Sequence, residues 1–117
     1  MTRIKVAVVG CGHLGTIHAR LLAAREDVEL VAVVDPTPEA RARLADAHGC
    51  LALAEPTELV GVADAAVVAA PTGFHAAASL PLLENGLDLL IEKPIAASVE
   101  DARAIVNMAR RHGRVVA

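Results

Sequence analysis

Three glycines at the spacing G-x-G-x-x-G constrain this chain more than any other feature. Gly10, Gly12 and Gly15 follow an apolar run at residues 4–9, which has the composition of a strand buried on both faces of a parallel sheet. In such a loop the first glycine permits a tight turn and the second lets the backbone approach a ligand without a Cβ. The third lets the next helix pack closely on the strand. Because a helix N-terminus favours anions, the motif predicts a phosphate-binding loop.

The residues around the glycines supply the structural context that the motif requires. A second apolar strand, Val28–Val34, ends at Asp35, which lies 20 residues after Gly15. An acidic residue at about this distance accepts hydrogen bonds from the ribose hydroxyls of a bound dinucleotide. His13 and Leu14 open the intervening helix, so their backbone N–H groups are candidate phosphate ligands. Strand, glycine loop, helix, strand and acid together predict a dinucleotide-binding site.

Strands and helices alternate through the rest of the chain. Short apolar strands are predicted at residues 50–53, 65–70 and 87–91, helices at about 38–47, 74–85 and 99–112, and the start of a sixth strand at 114–117. Strict alternation predicts an α/β fold with a doubly wound parallel sheet, right-handed crossovers and strand order 3-2-1-4-5-6, truncated in the sixth strand. The switch point of this sheet brings the glycine loop beside residues 71–75, with the turn at Lys93 next to it.

Composition and charge narrow the possible functions. At 117 residues the chain suits one domain, and a net charge of −3 without a basic patch argues against nucleic-acid and membrane partners. The N-terminal apolar run ends at Gly10, too early for a signal peptide or a membrane span, so we expect a soluble, cytoplasmic protein. Cys11 and Cys50 lie on strands expected to be too far apart for a disulfide. No C-x-x-C or H-x-x-x-H pair is present, so we expect no metal site.

The whole chain resembles the Gfo/Idh/MocA family, the glucose-fructose oxidoreductase and inositol dehydrogenase group of nicotinamide-dependent enzymes. The resemblance rests on the segments at residues 10–15, 33–35 and 70–75, and above all on Glu92-Lys93-Pro94-Ile95-Ala96. Many unrelated dinucleotide-binding domains share the glycines. The Glu-Lys-Pro block after the fifth strand, followed by a capped helix, is the specific part of the match.

The resemblance implies that residues 1–117 form the NAD(P)-binding Rossmann domain of an oxidoreductase. Such an enzyme interconverts a secondary alcohol and a ketone on a sugar, cyclitol or related polyol. Lys93 is the implied catalytic residue, pointing at the nicotinamide and the substrate hydroxyl, and the Lys93–Pro94 peptide is expected to be cis. His75 could equally cap its own helix, and Glu92 is expected to be a structural partner rather than a catalyst. The further implied cofactor-binding residues are Pro71, Thr72, His75, Glu92 and Pro94.

The residues after Asp35 and the family resemblance also predict which cofactor binds and whether all catalytic groups are present. Pro36 and Thr37 follow Asp35 where an arginine would favour NADP, so NAD is the expected cofactor. The resemblance implies that the acid/base histidine comes from a C-terminal substrate domain, which we expect to be absent from these 117 residues. We therefore expect the isolated chain to bind NAD but to be catalytically incomplete, and to form homo-oligomers through exposed apolar surface. Two alternatives stay open: a stand-alone NAD-binding module that senses redox state or regulates a partner, and a structural protein on a degenerate Rossmann scaffold.

Overall fold

The computed structural model describes residues 3–117. In chain order its strands and α-helices are β1 (Ile4–Val9), α1 (His13–Ala23), β2 (Val28–Val34), α2 (Pro38–His48), β3 (Leu51–Leu53), β4 (Ala65–Val68), α3 (His75–Glu84), β5 (Asp88–Ile91) and α4 (Val99–Arg111). Two 3₁₀-helices, Pro56–Leu59 and Thr72–Phe74, precede β4 and α3. The predicted alternation of strands and helices is confirmed.

The five strands pair in parallel in the order β3-β2-β1-β4-β5, as predicted. The predicted sixth strand is present only as an isolated parallel bridge between Val116 and Leu89 of β5. Leu89 N–H donates to the Val115 carbonyl at 2.9 Å, and Ala117 N–H donates to the Leu89 carbonyl at 3.0 Å. The last residues therefore occupy the sixth position of the sheet without forming a regular strand.

The sheet is buried on both faces. Because successive side chains of a strand point to opposite faces, β1 contributes Val8 to one apolar layer and Val9 to the other. The layer around Val8 includes Ala19 of α1 and Leu44 of α2, whereas the layer around Val9 includes Leu82 of α3. Helices cover both faces of a doubly wound sheet, which explains why its strands read as continuous apolar runs.

The longest helix, α4, has 13 residues and begins as the sequence predicts. The hydroxyl oxygen of Ser98 accepts a hydrogen bond from the Asp101 N–H at 3.1 Å, which satisfies one of the free donors of the first turn. No helix within residues 3–117 combines the length and the apolar composition that a membrane span requires.

Candidate functional site

A cleft of about 840 Å³ opens at the carboxyl ends of β1 and β4, where the order of the strands reverses. Its size falls within the range of about 300–1,000 Å³ that is typical of cofactor pockets. Gly15 and Pro94 lie outside its lining, next to residues that form it. The predicted site residues that line the cleft are Gly10, Gly12, His13, Leu14, Asp35, Pro71, Thr72, His75, Glu92 and Lys93.

The three glycines of the loop occupy different environments. Gly10 has a φ of +105°, and a Cβ added there would lie 2.6 Å from the Ala70 nitrogen. A Cβ added to Gly15 would overlap the carbonyl oxygen of Gly10. Gly12 differs, because within residues 3–117 no atom beyond Gly12 and its two chain neighbours lies within 4 Å of the position that its Cβ would take. The fold itself therefore needs glycine at two positions, whereas Gly12 leaves open space in the wall of the cleft.

The N-terminus of α1 faces this open space. Gly12 is the N-cap residue of α1. In the part of the chain that the structure describes, no side chain caps this helix, and its first turn contains no acidic residue. The first backbone N–H groups of a helix have no partner within the helix, and the helix dipole makes this end positive. His13 and Leu14, which carry two of these N–H groups, both line the cleft. This end of the cleft is therefore suited to an anionic group such as a phosphate.

Asp35 joins the glycine loop to the end of β2. Its Oδ2 accepts a hydrogen bond from the Cys11 N–H at 2.8 Å, and its Oδ1 accepts one from the Thr37 N–H at 2.9 Å. The Arg41 guanidinium donates to the Asp35 carbonyl oxygen at 3.1 Å. Each carboxylate oxygen has two lone pairs and keeps one available for a further donor. Asp35 therefore holds the loop in place and can still accept hydrogen bonds from a ligand in the cleft.

Lys93 lies in a turn that follows β5. The Lys93–Pro94 peptide is cis, which confirms the expectation from the resemblance. Glu92 continues the pairing of the sheet, because its N–H donates to the Val68 carbonyl at 3.0 Å. The Glu92 carboxylate also contacts the His18 ring of α1, with Nε2 and Oε1 2.9 Å apart. Lys93 is exposed, and within residues 3–117 its ammonium group has no hydrogen-bond or ion-pair partner.

His75 is almost completely buried, with 1% of its surface exposed. Its Nε2 lies 2.7 Å from the Ala70 carbonyl oxygen, and its Nδ1 lies 3.1 Å from the Pro94 and 3.3 Å from the Ile95 carbonyl oxygens. The N-cap residue of α3 is Phe74, without a side-chain cap. His75 thus lines the cleft, but its ring nitrogens face backbone carbonyls and do not cap the helix.

Three further residues of the cleft lining were not predicted from the sequence. Glu55 and Pro56 line the cleft after β3, and Phe74 lies at its edge with 64% of its surface exposed. Because β3 pairs with β2, the strand order already places the loop after β3 near Asp35, and that signal could have identified Glu55. The contact between His18 and Glu92 joins residues that are 74 positions apart, and no pattern in the sequence predicted it.

Both cysteines are free thiols, and within residues 3–117 no group of three histidine, cysteine or acidic side chains is placed to hold a metal ion. Cys11 is 2% exposed, and its Sγ lies 3.6 Å from the Val34 carbonyl oxygen. Burial, and then the negative charge of Asp35, raise the pKa of the Cys11 thiol to about 12. Burial also raises the pKa of Cys50. Both groups are therefore neutral thiols at physiological pH.

Cys11 is expected to make the fold less stable in alkaline solution. Its pKa is higher in the folded chain than in the unfolded chain, so unfolding releases a proton above the unfolded value of 9.0. The stabilisation is complete below that pH and is lost as the pH rises towards about 12. The urea midpoint should fall over this interval, and it should fall less in Cys11→Ala. Identical pH dependence in the two proteins would contradict the assignment.

Nearly the whole chain matches the model of a known protein family. A family model described as "Oxidoreductase family, NAD-binding Rossmann fold" matches residues 4–117. The chain belongs to this family. This is the Gfo/Idh/MocA family, so the resemblance drawn from the Glu-Lys-Pro block is confirmed.

The relatives and solved structures that resemble this chain include dehydrogenases. UDP-N-acetylglucosamine 3-dehydrogenase of Acidithiobacillus ferrooxidans is 33% identical over 117 residues, which cover 100% of this chain and 37% of that protein. Inositol 2-dehydrogenase of Rhizobium meliloti is 31% identical over 106 residues, which cover 90% of this chain and 32% of that protein. Among solved structures, the chain resembles the WlbA dehydrogenase from Bordetella pertussis, determined in complex with NADH and UDP-GlcNAcA. The two superpose with a TM-score of 0.92 at 27% identity, over 98% of this chain and 36% of that one. The chain spans about a third of the length of these relatives.

Proposed function

We propose that this chain is the NAD-binding domain of a dehydrogenase that interconverts a secondary alcohol and a ketone on a sugar, cyclitol or related polyol. One observation carries the proposal: a single cleft is lined by Gly12 with its open space, by Asp35 and by Lys93, whose ammonium has no partner among residues 3–117. The relatives that act on a nucleotide sugar and on inositol support the substrate class. A redox-sensing module would use the same cleft without needing Lys93, and no observation favours it.

The residues of the cleft fit an NAD molecule laid across the switch point of the sheet. The N-terminus of α1 would hold the pyrophosphate beside Gly12, and Asp35 would accept hydrogen bonds from the hydroxyls of the adenosine ribose. Pro71 and Thr72, in the loop that follows β4, would then contact the nicotinamide half together with the turn at Lys93. The open space at Gly12 is the structural feature that matches this placement, since a Cβ would fill it.

Lys93 would act on the substrate from the nicotinamide end of the cleft. When bound, the nicotinamide ring supplies the carbon that accepts or returns a hydride. The Lys93 ammonium can donate a hydrogen bond to the reacting oxygen and relay its proton. The exposed position of Lys93 and its lack of a partner within residues 3–117 leave it available for this task. Glu92 is engaged with His18, which supports a structural role for it.

We also propose that the chain prefers NAD to NADP and has little activity on its own. Two acidic residues, Asp35 and Glu55, line the cleft near its expected adenosine end, and their negative charge would favour NAD over NADP. The relatives are much longer than these 117 residues, so we expect the isolated chain to bind NADH without oxidising polyols at a useful rate. General acid and base groups accelerate a reaction by a factor of about 10²–10⁴, and the chain supplies Lys93 from one side only.

The chain is also proposed to self-associate through the edge of the sheet at β5. Leu90 and Val115 are 42% and 64% exposed there, and exposed apolar surface of this kind favours association.

A fluorescence titration tests the proposed cofactor. The chain contains no tryptophan or tyrosine, so protein emission adds little background to the signal of the reduced nicotinamide. We expect saturable NADH binding that ADP-ribose displaces, and weaker binding of NADPH. A chain that is folded by circular dichroism but shows no saturable NADH signal would refute the proposed function.

A further inference from the structure

The turn that carries Lys93 is held on both of its sides by histidines from different helices. On one side, the His18 ring of α1 contacts the Glu92 carboxylate at 2.9 Å. On the other side, the His75 ring at the start of α3 lies 3.1 Å from the Pro94 carbonyl oxygen. Lys93, between these two contacts, has no polar partner for its side chain within residues 3–117. Its location therefore depends on its neighbours in the chain.

The His75 ring links three segments of the backbone. It belongs to α3, and its Nε2 and Nδ1 contact the Ala70 carbonyl after β4 and the Pro94 and Ile95 carbonyls of the turn. Every neighbour of the two ring nitrogens in these contacts is an acceptor, so at least one of the contacts is an N–H···O hydrogen bond. Removing a polar ring from water is unfavourable without such bonds. The buried ring thus fixes the turn against the end of β4.

The His18 contact reaches the same turn from the phosphate-binding side. The side chains of His18 and Glu92 are 20% and 27% exposed, so water screens this contact more than it screens the buried contacts of His75. His18 lies in the helix whose N-terminus lines the cleft beside Gly12. The contact therefore connects the helix expected to bind the pyrophosphate with the turn expected to lie beside the nicotinamide.

We propose that His18 and His75 are positioning residues that clamp the Lys93 turn, residues 92–95, at the nicotinamide end of the cleft. The proposal rests on the proposed function for the identity of the ligand. Neither histidine is assigned a contact with the reacting atoms. A clamp of this kind predicts a local effect at one end of the cleft, whereas a purely structural role predicts equal losses along the whole cofactor.

Paired titrations with NADH and ADP-ribose test the clamp. ADP-ribose lacks the nicotinamide, so it reports on the rest of the cleft. We expect His75→Ala to weaken NADH binding about five- to tenfold, the equivalent of losing one hydrogen bond. The affinity for ADP-ribose should change by less than about twofold. His75→Gln keeps an amide donor and should restore part of the loss. His112→Asn, an exposed position after α4, is the matched control and should bind both ligands as the unmutated chain does. Equal weakening of NADH and ADP-ribose, or no change in either, would overturn the proposal.

Limited proteolysis tests the same clamp without any cofactor. A glutamate-specific protease should cut the Glu92–Lys93 bond several times faster in His75→Ala, while cleavage after Glu84 at the end of α3 stays constant. Should His75→Ala fail to fold, His18→Ala at a partly exposed position replaces it in the same two measurements. Its effects should have the same direction but be smaller, because water screens the contact of His18 with Glu92. Unchanged cleavage in a folded variant would overturn the clamp. Absence of NADH binding to the unmutated chain would instead refute the proposed function, so the two failures are distinguishable.

Discussion

Replacing Gly12 with alanine is expected to abolish most NADH binding while the chain remains folded. Apart from its chain neighbours, the added Cβ meets no atom of residues 3–117 within 4 Å, and Gly12 has an ordinary φ of −80°. The substitution should therefore lower the free energy of unfolding by only about 1 kcal/mol, the cost of placing alanine, a poorer N-cap than glycine, at the start of α1. The methyl group would instead occupy the space assigned to the pyrophosphate. Loss of one charge-assisted hydrogen bond costs about 1.5–3 kcal/mol, or roughly ten- to hundredfold in Kd.

Gly15→Ala gives the contrasting result and Gly73→Ala the control. A Cβ at Gly15 overlaps the Gly10 carbonyl oxygen, so we expect a loss of about 1–3 kcal/mol in stability as well as a loss of binding. Gly73 lies outside the cleft lining and also has open space around its Cβ position. Its alanine variant should bind NADH normally. Urea midpoints and NADH titrations of the three variants separate folding from binding, and tight NADH binding by Gly12→Ala would refute the placement of the pyrophosphate.

The sequence predicts the framework of this fold well because a parallel sheet covered on both faces leaves a strong pattern. Continuous apolar runs identify the buried strands, and their alternation with helices determines the strand order. The ends of elements are predicted less accurately. The fourth strand, expected at residues 65–70, ends at Val68. The Ala69 N–H still donates to the Val9 carbonyl at 2.8 Å, and the backbone of Ala69 and Ala70 then packs beside Gly10 at the cleft. The bridge at Val116 likewise depends on its neighbour β5 rather than on local pattern.

The predictability of the site differs from residue to residue. The glycines and Asp35 could be found because their function requires fixed positions along the chain, at the ends of two consecutive strands. Lys93 has no comparable physical signature, and only the family resemblance singled it out. The contacts of His18 and His75 with the Lys93 turn were not predicted, because they join segments that are distant in sequence. Such contacts follow from tertiary packing of helices on the sheet, which a single sequence does not specify.

Asp35→Asn is expected to reduce the preference for NADH over NADPH by about tenfold, equivalent to about 1.4 kcal/mol. The carboxylate can accept hydrogen bonds from ribose hydroxyls and repels a 2′-phosphate, whereas the amide keeps one acceptor and removes the charge. The Arg41 guanidinium, 3.1 Å from the Asp35 carbonyl oxygen, remains to attract a phosphate. Glu55 stays as an opposing negative charge in the cleft lining, so the preference should narrow without a complete reversal. Parallel titrations with NADH and NADPH measure the ratio.

The choice of substitution decides whether this experiment reports on recognition or on folding. Asp35→Ala removes the acceptor for the Cys11 and Thr37 N–H groups, and leaving a buried donor unsatisfied costs about 1–3 kcal/mol. That variant should lose stability and distort the glycine loop, so NADH and NADPH affinities fall together. Asp35→Asn retains one of the two contacts and mainly changes the charge. Raising the ionic strength should narrow the NADH preference of the unmutated chain but hardly that of Asp35→Asn, because salt screens the carboxylate. A preference that is equal in the two proteins at every salt concentration would show that Asp35 does not select the cofactor.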